Sequence, residues 1–200
     1  MTSKQEKIRV SDSPFDFGQF YFSYAIYHYN DVNKWVHIFG IPSIAFSLLG
    51  MLHHTDGFGS FILADQPIRI DIGLLLFAVL LPIYTIVDFV TGLASTAFFI
   101  AQIILSNYLY SHNILGDTHM KVMIGLHIFG WVAQFVGHGI FEKRAPALLD
   151  NLLLIFVAPF FFIFEVLNIF LGYKEKEVKE WNKVVAREIK QFRENKSKKQ

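Results

Sequence analysis

Hydrophobic and polar positions fall in blocks along this chain, and the blocks have the lengths of membrane helices. Apolar runs occupy residues 35–52, 71–90, 93–110, 122–141 and 147–171, with short polar links between them. A helix needs about 20 predominantly apolar residues to cross a bilayer. The pattern therefore predicts four or five spans; 35–52 and 71–90 are weak enough to be half-buried or tilted. Residues 71–90 and 93–110 predict a helical hairpin joined at "TGLA", with Pro82 as a candidate kink. Pro159 lies inside the last run. The stretch "HHTDGFGSFILADQPIRI" is rich in turn formers and predicts a loop.

Two further segments are amphipathic. Residues 14–30, "PFDFGQFYFSYAIYHYN", combine Phe and Tyr with polar positions and predict a short helix at the membrane interface. From residue 174 onward the chain carries ten Lys/Arg against five Glu, and Val178, Trp181, Val185 and Phe192 recur at helical spacing. That basic helix suits a membrane surface or a partner subunit; a solvated tail is the plainer alternative. The expected organisation is a polar segment 1–13, a helical membrane domain 14–172 and a basic amphipathic tail 173–200. The fold class is all-α and polytopic.

Composition sharpens this picture. Hydrophobic residues make up 53% of the 200 and charged ones 18%, with mean hydropathy +0.38; soluble domains carry about 25% charge. There is no cysteine, so thiolate metal sites, disulfides and cysteine nucleophiles are excluded. The polar N-terminus lacks the apolar core of a secretory signal. No phosphate-cradling glycine loop, internal repeat or base-reading basic patch is present, so nucleic-acid partners are not expected.

The candidate chemistry is imidazole. Histidines stand at 28, 37, 53, 54, 112, 119, 127 and 138, most of them at the ends of apolar runs or inside them. His127, Gln134 and His138 share one helix face, a polar stripe that must turn away from lipid. His28 and His37 would point apart on one continuous helix. The intervening "NDVN" breaks it, with Asn33 as the expected N-cap, and a turn there could aim both rings at one centre. Imidazoles from several helices suit Fe(II), Zn or Cu. Any one of these histidines, taken alone, is better read as a hydrogen-bonding core group. His53, His54 and His119 are expected to be exposed loop residues. Glu165, inside the last run, could support a liganding histidine or pair with Asn168. Glu142, Lys143 and Arg144 predict a short interfacial loop, with Asp150 as a cap or a partner for Arg144.

Two motifs go further. "HYNDVNKWVHIFGIP" (28–42) and "QFVGHGIFEKRAPALLDN" (134–151), followed by Ala158–Pro159 and Glu165, closely resemble the signatures of the Mpo1-like membrane proteins, over roughly residues 14–172. The resemblance implies an Fe(2+)-dependent dioxygenase of the endoplasmic reticulum membrane, with a mitochondrial membrane as the alternative. It would use O2 to convert 2-hydroxy fatty acids to acids one carbon shorter. On this chain the family's histidines match His28, His37 and His138, with His112 as a fourth counterpart. These four would hold the metal, with the first three catalytic. Gln134 and Glu165 would orient the rings; His127 joins them by position alone. Arg144 or Lys34 would pair with the substrate carboxylate. A non-catalytic membrane subunit that keeps the fold, with its basic tail docked on a protein partner, is the alternative. A transporter is disfavoured by the missing inverted repeat.

Overall fold

The computed structural model describes residues 8, 10, 11, 13–63, 65–146 and 154–197. Its helices are α1 (Phe17–Ala25), α2 (Asp31–Leu52), α3 (Ile72–Val87), α4 (Phe89–Ser111), α5 (His119–Val136), α6 (Leu154–Leu171) and α7 (Glu175–Ser197). Short polar side chains mark the starts. Asp16 accepts from the Gln19 N–H at 2.7 Å, Asn30 from Val32 N–H at 2.9 Å, Asp71 from Leu74 N–H at 3.0 Å and Asp88 from Thr91 N–H at 3.0 Å. Each satisfies an amide that the first helical turn leaves open.

Three sequence expectations move. The cap of α2 is Asn30, three residues before Asn33, which lies within the helix. The α3–α4 break falls at Asp88, before "TGLA". The turn-rich stretch is partly a β-hairpin, β1 (Gly59–Leu63) against β2 (Gln66–Ile70), paired from Gly59↔Ile70 to Leu63↔Gln66. Asn107 of α4 receives the Arg69 N–H at 3.0 Å and donates to the Pro67 carbonyl at 2.6 Å, which fastens the hairpin to the bundle.

Among the described residues four helical stretches are long and apolar enough to cross a membrane: Asp31–Leu52, Phe89–Ser111, Gly116–Glu142 and Leu154–Leu171. The apolar α3 is shorter. Phe39, Val79, Ile86, Phe89, Ile128 and Phe129 are exposed on outward faces, as lipid contact requires. The chain is an integral membrane protein of helical class. Helices α2 and α5 pack closely because Gly40 and Gly130 bring their backbones together: a Cβ on Gly130 would lie 3.2 Å from the Gly40 carbonyl.

Helix α6 packs across one end of this bundle. At its start the Phe156 carbonyl accepts from the Tyr84 hydroxyl at 2.6 Å; past its end, Tyr173 donates to Asp88 at 3.0 Å, and Tyr84 and Asp88 both belong to the top of α3. Its phenylalanines meet α1 and α7 in an aromatic core: Phe164 lies 5.0 Å from Phe17, and Trp181 lies 5.2 Å from Tyr21. The apolar stripe of α7 is used here. Val178, Val185 and Ile189 are buried, and Tyr21 donates to Asn182 at 2.8 Å. The stripe therefore packs inside the chain, where the sequence pattern suggested a membrane or a partner. Asp150 and the first seven residues of the 147–171 run lie outside the described residues.

Candidate metal centre

The end of the bundle beneath α6 gathers three histidines from three elements. His28 sits in the turn after α1, His37 in the second turn of α2, and His138 just past α5. All three are buried. One nitrogen from each falls within a sphere where no pair is more than 4.8 Å apart, and they are the group of this kind found among the described residues.

Local structure sets each ring. The His28 Nδ1–H donates to the Tyr24 carbonyl at 2.8 Å, and its ring stacks on Tyr24 with centroids 4.0 Å apart. The His37 Nδ1–H donates to the Asn33 carbonyl at 2.8 Å, one helical turn earlier. Because a carbonyl can only accept, both Nδ1 atoms carry the proton, and both Nε2 atoms carry lone pairs. Those two Nε2 atoms face each other at 3.0 Å. Two lone pairs at that distance repel unless a cation or an extra proton lies between them. Burial, then the neighbouring His37 and His138 rings, push the His28 pKa well below the usual imidazole range, so the extra proton is disfavoured there. A metal ion among them would satisfy all three rings at once.

His138 is delivered by a widened helical turn, Gly137–Glu142, that ends at Lys143 in a left-handed conformation with φ 54°. Such π-turns shift the register of the side chains that follow and recur at functional sites. Here the turn buries His138 and Glu142 together. Gly137 leaves room for Asn33, because a Cβ there would collide with the Asn33 Oδ1. The His138 Nδ1 is buried with no hydrogen-bond partner.

The other expected site residues are placed differently. His112 is exposed at the C-terminal end of α4, which runs away from the centre; it bonds to the Tyr108 carbonyl at 3.1 Å and does not join the three rings. His127 does share a face with His138, but three turns of helix separate them by about 16 Å. It pairs with Ser47 at 3.0 Å and accepts from Trp131 at 3.0 Å. Gln134 is buried and reaches the Val36 carbonyl at 3.5 Å. Glu165 pairs with Lys34 at 3.6 Å, and Lys34 also lies 3.9 Å from Asp31. The His28 and His37 rings are oriented by backbone carbonyls instead of by Gln134 and Glu165. Arg144 is held between Tyr27, 3.7 Å from its guanidinium, and Phe192 at 4.3 Å, and it donates to the Ile26 carbonyl. It fastens the α1–α2 turn to α7.

One residue escaped sequence reasoning. Glu142, expected in a loop, is buried, and its Oε1 accepts from the Asn30 N–H at 2.8 Å and the Asn33 amide at 3.2 Å. It thereby ties the His138 turn to the helix start that carries His37. Its place inside the 134–151 motif, four residues after His138, was the available signal. The loop histidines were also misjudged in part. His53 and His119 are buried: His53 pairs with Asp71 at 2.7 Å, and His119 with the exposed His54 at 3.0 Å.

A cavity of about 210 Å³ opens beside the three rings. It runs between α2, α3, α5 and the start of α6, lined by Ile41, Ala45, Leu48, Phe77, Leu80 and Phe135 among others. Together, the fold and the centre define a helical membrane protein with three imidazoles placed at one end of an apolar chamber. The comparisons agree on one family. The model of the family described as "2-hydroxy-palmitic acid dioxygenase Mpo1-like" matches residues 15–170, and this chain belongs to the Mpo1-like family. It is 37% identical over 145 residues to the 2-hydroxy-palmitic acid dioxygenase MPO1 of Saccharomyces cerevisiae, covering 72% of this chain and 75% of that protein. No solved structure matches.

Proposed function

We propose that this protein is an iron(II)-dependent dioxygenase that shortens 2-hydroxy fatty acids by one carbon within a membrane. The observation that carries the reading is the pair of facing Nε2 lone pairs at 3.0 Å, with His138 as the third donor. Neutral imidazoles suit Fe(II) along with Zn and Cu, and the relative's name adds the oxygenase chemistry. His28, His37 and His138 would hold the ion, which when bound supplies the activation of O2. The balanced reaction is R–CH(OH)–COOH + O2 → R–COOH + CO2 + H2O. The C1–C2 bond breaks, C2 becomes the new carboxyl carbon, and O2 takes up the electrons.

The chain's own residues orient the substrate. Most polar groups of the cavity, Ser23, Tyr24, Gln134 and the histidines, stand at its metal end, so the hydroxyl and carboxylate are directed there and the tail into the apolar part. Lys34, 15% exposed and close to Glu165, is the cation on α2 nearest this end and would balance a carboxylate better than the sandwiched Arg144. The apolar walls keep bulk water from the reacting end. The family likeness favours the endoplasmic reticulum as the membrane.

Purified protein loaded with iron(II) and given 2-hydroxypalmitic acid and O2 should release pentadecanoic acid, detected by mass spectrometry. His37→Ala and His138→Ala should reduce this to background. Folded, iron-loaded protein that yields no shortened acid contradicts the proposal.

A further inference from the structure

We propose that the cavity is an acyl channel of fixed depth, and that Leu48, Leu76 and Phe77 form the floor that sets the length of the bound chain. This rests on the reading of the ligand as a fatty acid derivative. On α2 the lining residues His37, Ile41, Ala45 and Leu48 follow one another along a single face. From His37 to Leu48 is eleven residues, about 16 Å of helix axis. A straight acyl chain laid along that face therefore starts at the imidazoles and ends one turn short of Leu52, where α2 stops.

Helix α3 closes the same depth from the other side. It enters at Ile72 from the far end, so Leu76 and Phe77 stand in its second turn, facing the channel. Phe77 is 4% exposed and stacks on the fully buried Phe99 with ring centroids 4.8 Å apart. That support makes it a stiff stop. Leu80, one turn higher, lines the wall. No charged side chain lines the channel, so its deep part offers a carboxylate nothing. Ala45, two turns below His37, is the small wall residue that leaves the passage open.

The test uses the iron-free full chain in lipid nanodiscs, with straight-chain 2-hydroxy acids of stepwise increasing length displacing a fluorescent fatty acid. Burying one more methylene is worth about a fourfold gain in affinity. Affinity, referred to the free aqueous concentration of each acid, should climb at about that rate per carbon and then level off where the tail reaches the floor. Leu48→Ala should move the break to longer acids, and Ala45→Phe to shorter ones. Ile128→Ala, on the outward face of α5 and 57% exposed, should leave it in place. If Ala45→Phe does not fold, Leu48→Ala and Phe77→Ala decide by the direction of their shift. A break that stays put in variants that still bind the shortest acid overturns the channel, as does a lack of binding for any acid. Binding needs no turnover, so a length break that moves as described in a protein that makes no shortened acid supports the channel while contradicting the dioxygenase.

Discussion

The smallest unit that explains this centre is a backbone carbonyl. Tyr24 and Asn33 each accept an Nδ1–H and thereby fix the tautomer of the ring four residues later, which turns two Nε2 lone pairs on one another. Both carbonyls are held by local helix geometry, and Glu142 holds the second of these segments from across the bundle. Replacing Glu142 with Ala strips the Asn30 N–H and the Asn33 amide of their acceptor, at about 1–3 kcal/mol. Outer partners of metal ligands are typically worth about 10–100-fold in affinity. Glu142→Ala should therefore lower both the unfolding temperature and iron affinity at least tenfold in a metal titration, while Glu142→Gln, whose amide oxygen can replace Oε1, should keep most of both. Equal losses in the two variants would make the charge, and not the acceptor, the requirement. At this scale His28, His37 and His138 were legible as a group, because two motifs carry them, although no single ring could be told from a hydrogen-bonding core histidine. Their orienting groups were not, since every residue has a carbonyl. Glu142 was hidden by a π-turn that no periodicity announces, and His112, taken from the family resemblance, stands at the end of α4 away from the three rings.

At the scale of elements, the helices follow the hydrophobic blocks closely, and the breaks fall on Asp and Asn caps within a few residues of those expected. The amphipathic pattern of the tail was also legible, but not its partner. Burying Val178, Val185 and Ile189 against the chain's own core stabilises α7 by about 1.5–3 kcal/mol per side chain. A stripe alone cannot say which apolar surface it will cover. The join between α6 and α7 is electrostatic: Lys174 lies 3.0 Å from Asp88, and Tyr173 donates to the same carboxylate. Burial raises the Asp88 pKa, yet the Thr91 amide and hydroxyl and Lys174 outweigh it and hold the carboxyl below its ordinary value. Burial lowers that of Lys174, yet Asp88 and Tyr173 outweigh it and raise the ammonium. The depressed acid contributes stability above its unfolded pKa, and that contribution is lost as pH falls through its folded one. The raised base contributes below its unfolded pKa and loses its share as pH rises through the folded one. Lys174→Met should cost about 1 kcal/mol near pH 7. The penalty should fade in acid, as pH falls through the depressed folded-state pKa of Asp88. Thermal unfolding of both proteins across pH checks this, and a penalty independent of pH contradicts the ion pair.

Across the whole molecule the histidines sort by depth. His28, His37 and His138 stand under α6 at one end; His53, His54, His112 and His119 stand at the other, near the hairpin; His127 lies between. The apolar cavity leads inward from the first group. This division follows from helix direction, since α2 starts where α5 ends. It gathers the three facing imidazoles at one end and leaves the other to hold the hairpin. The claim on which the function depends is that one ion sits among those three imidazoles, and its most direct test is iron per chain. Protein reconstituted anaerobically with iron(II) and desalted should retain one equivalent by elemental analysis. His37→Ala and His138→Ala should each lose it, while His112→Ala keeps it. Folded wild-type protein that retains no iron, or a His37→Ala/His138→Ala double variant that retains a full equivalent, would contradict the account.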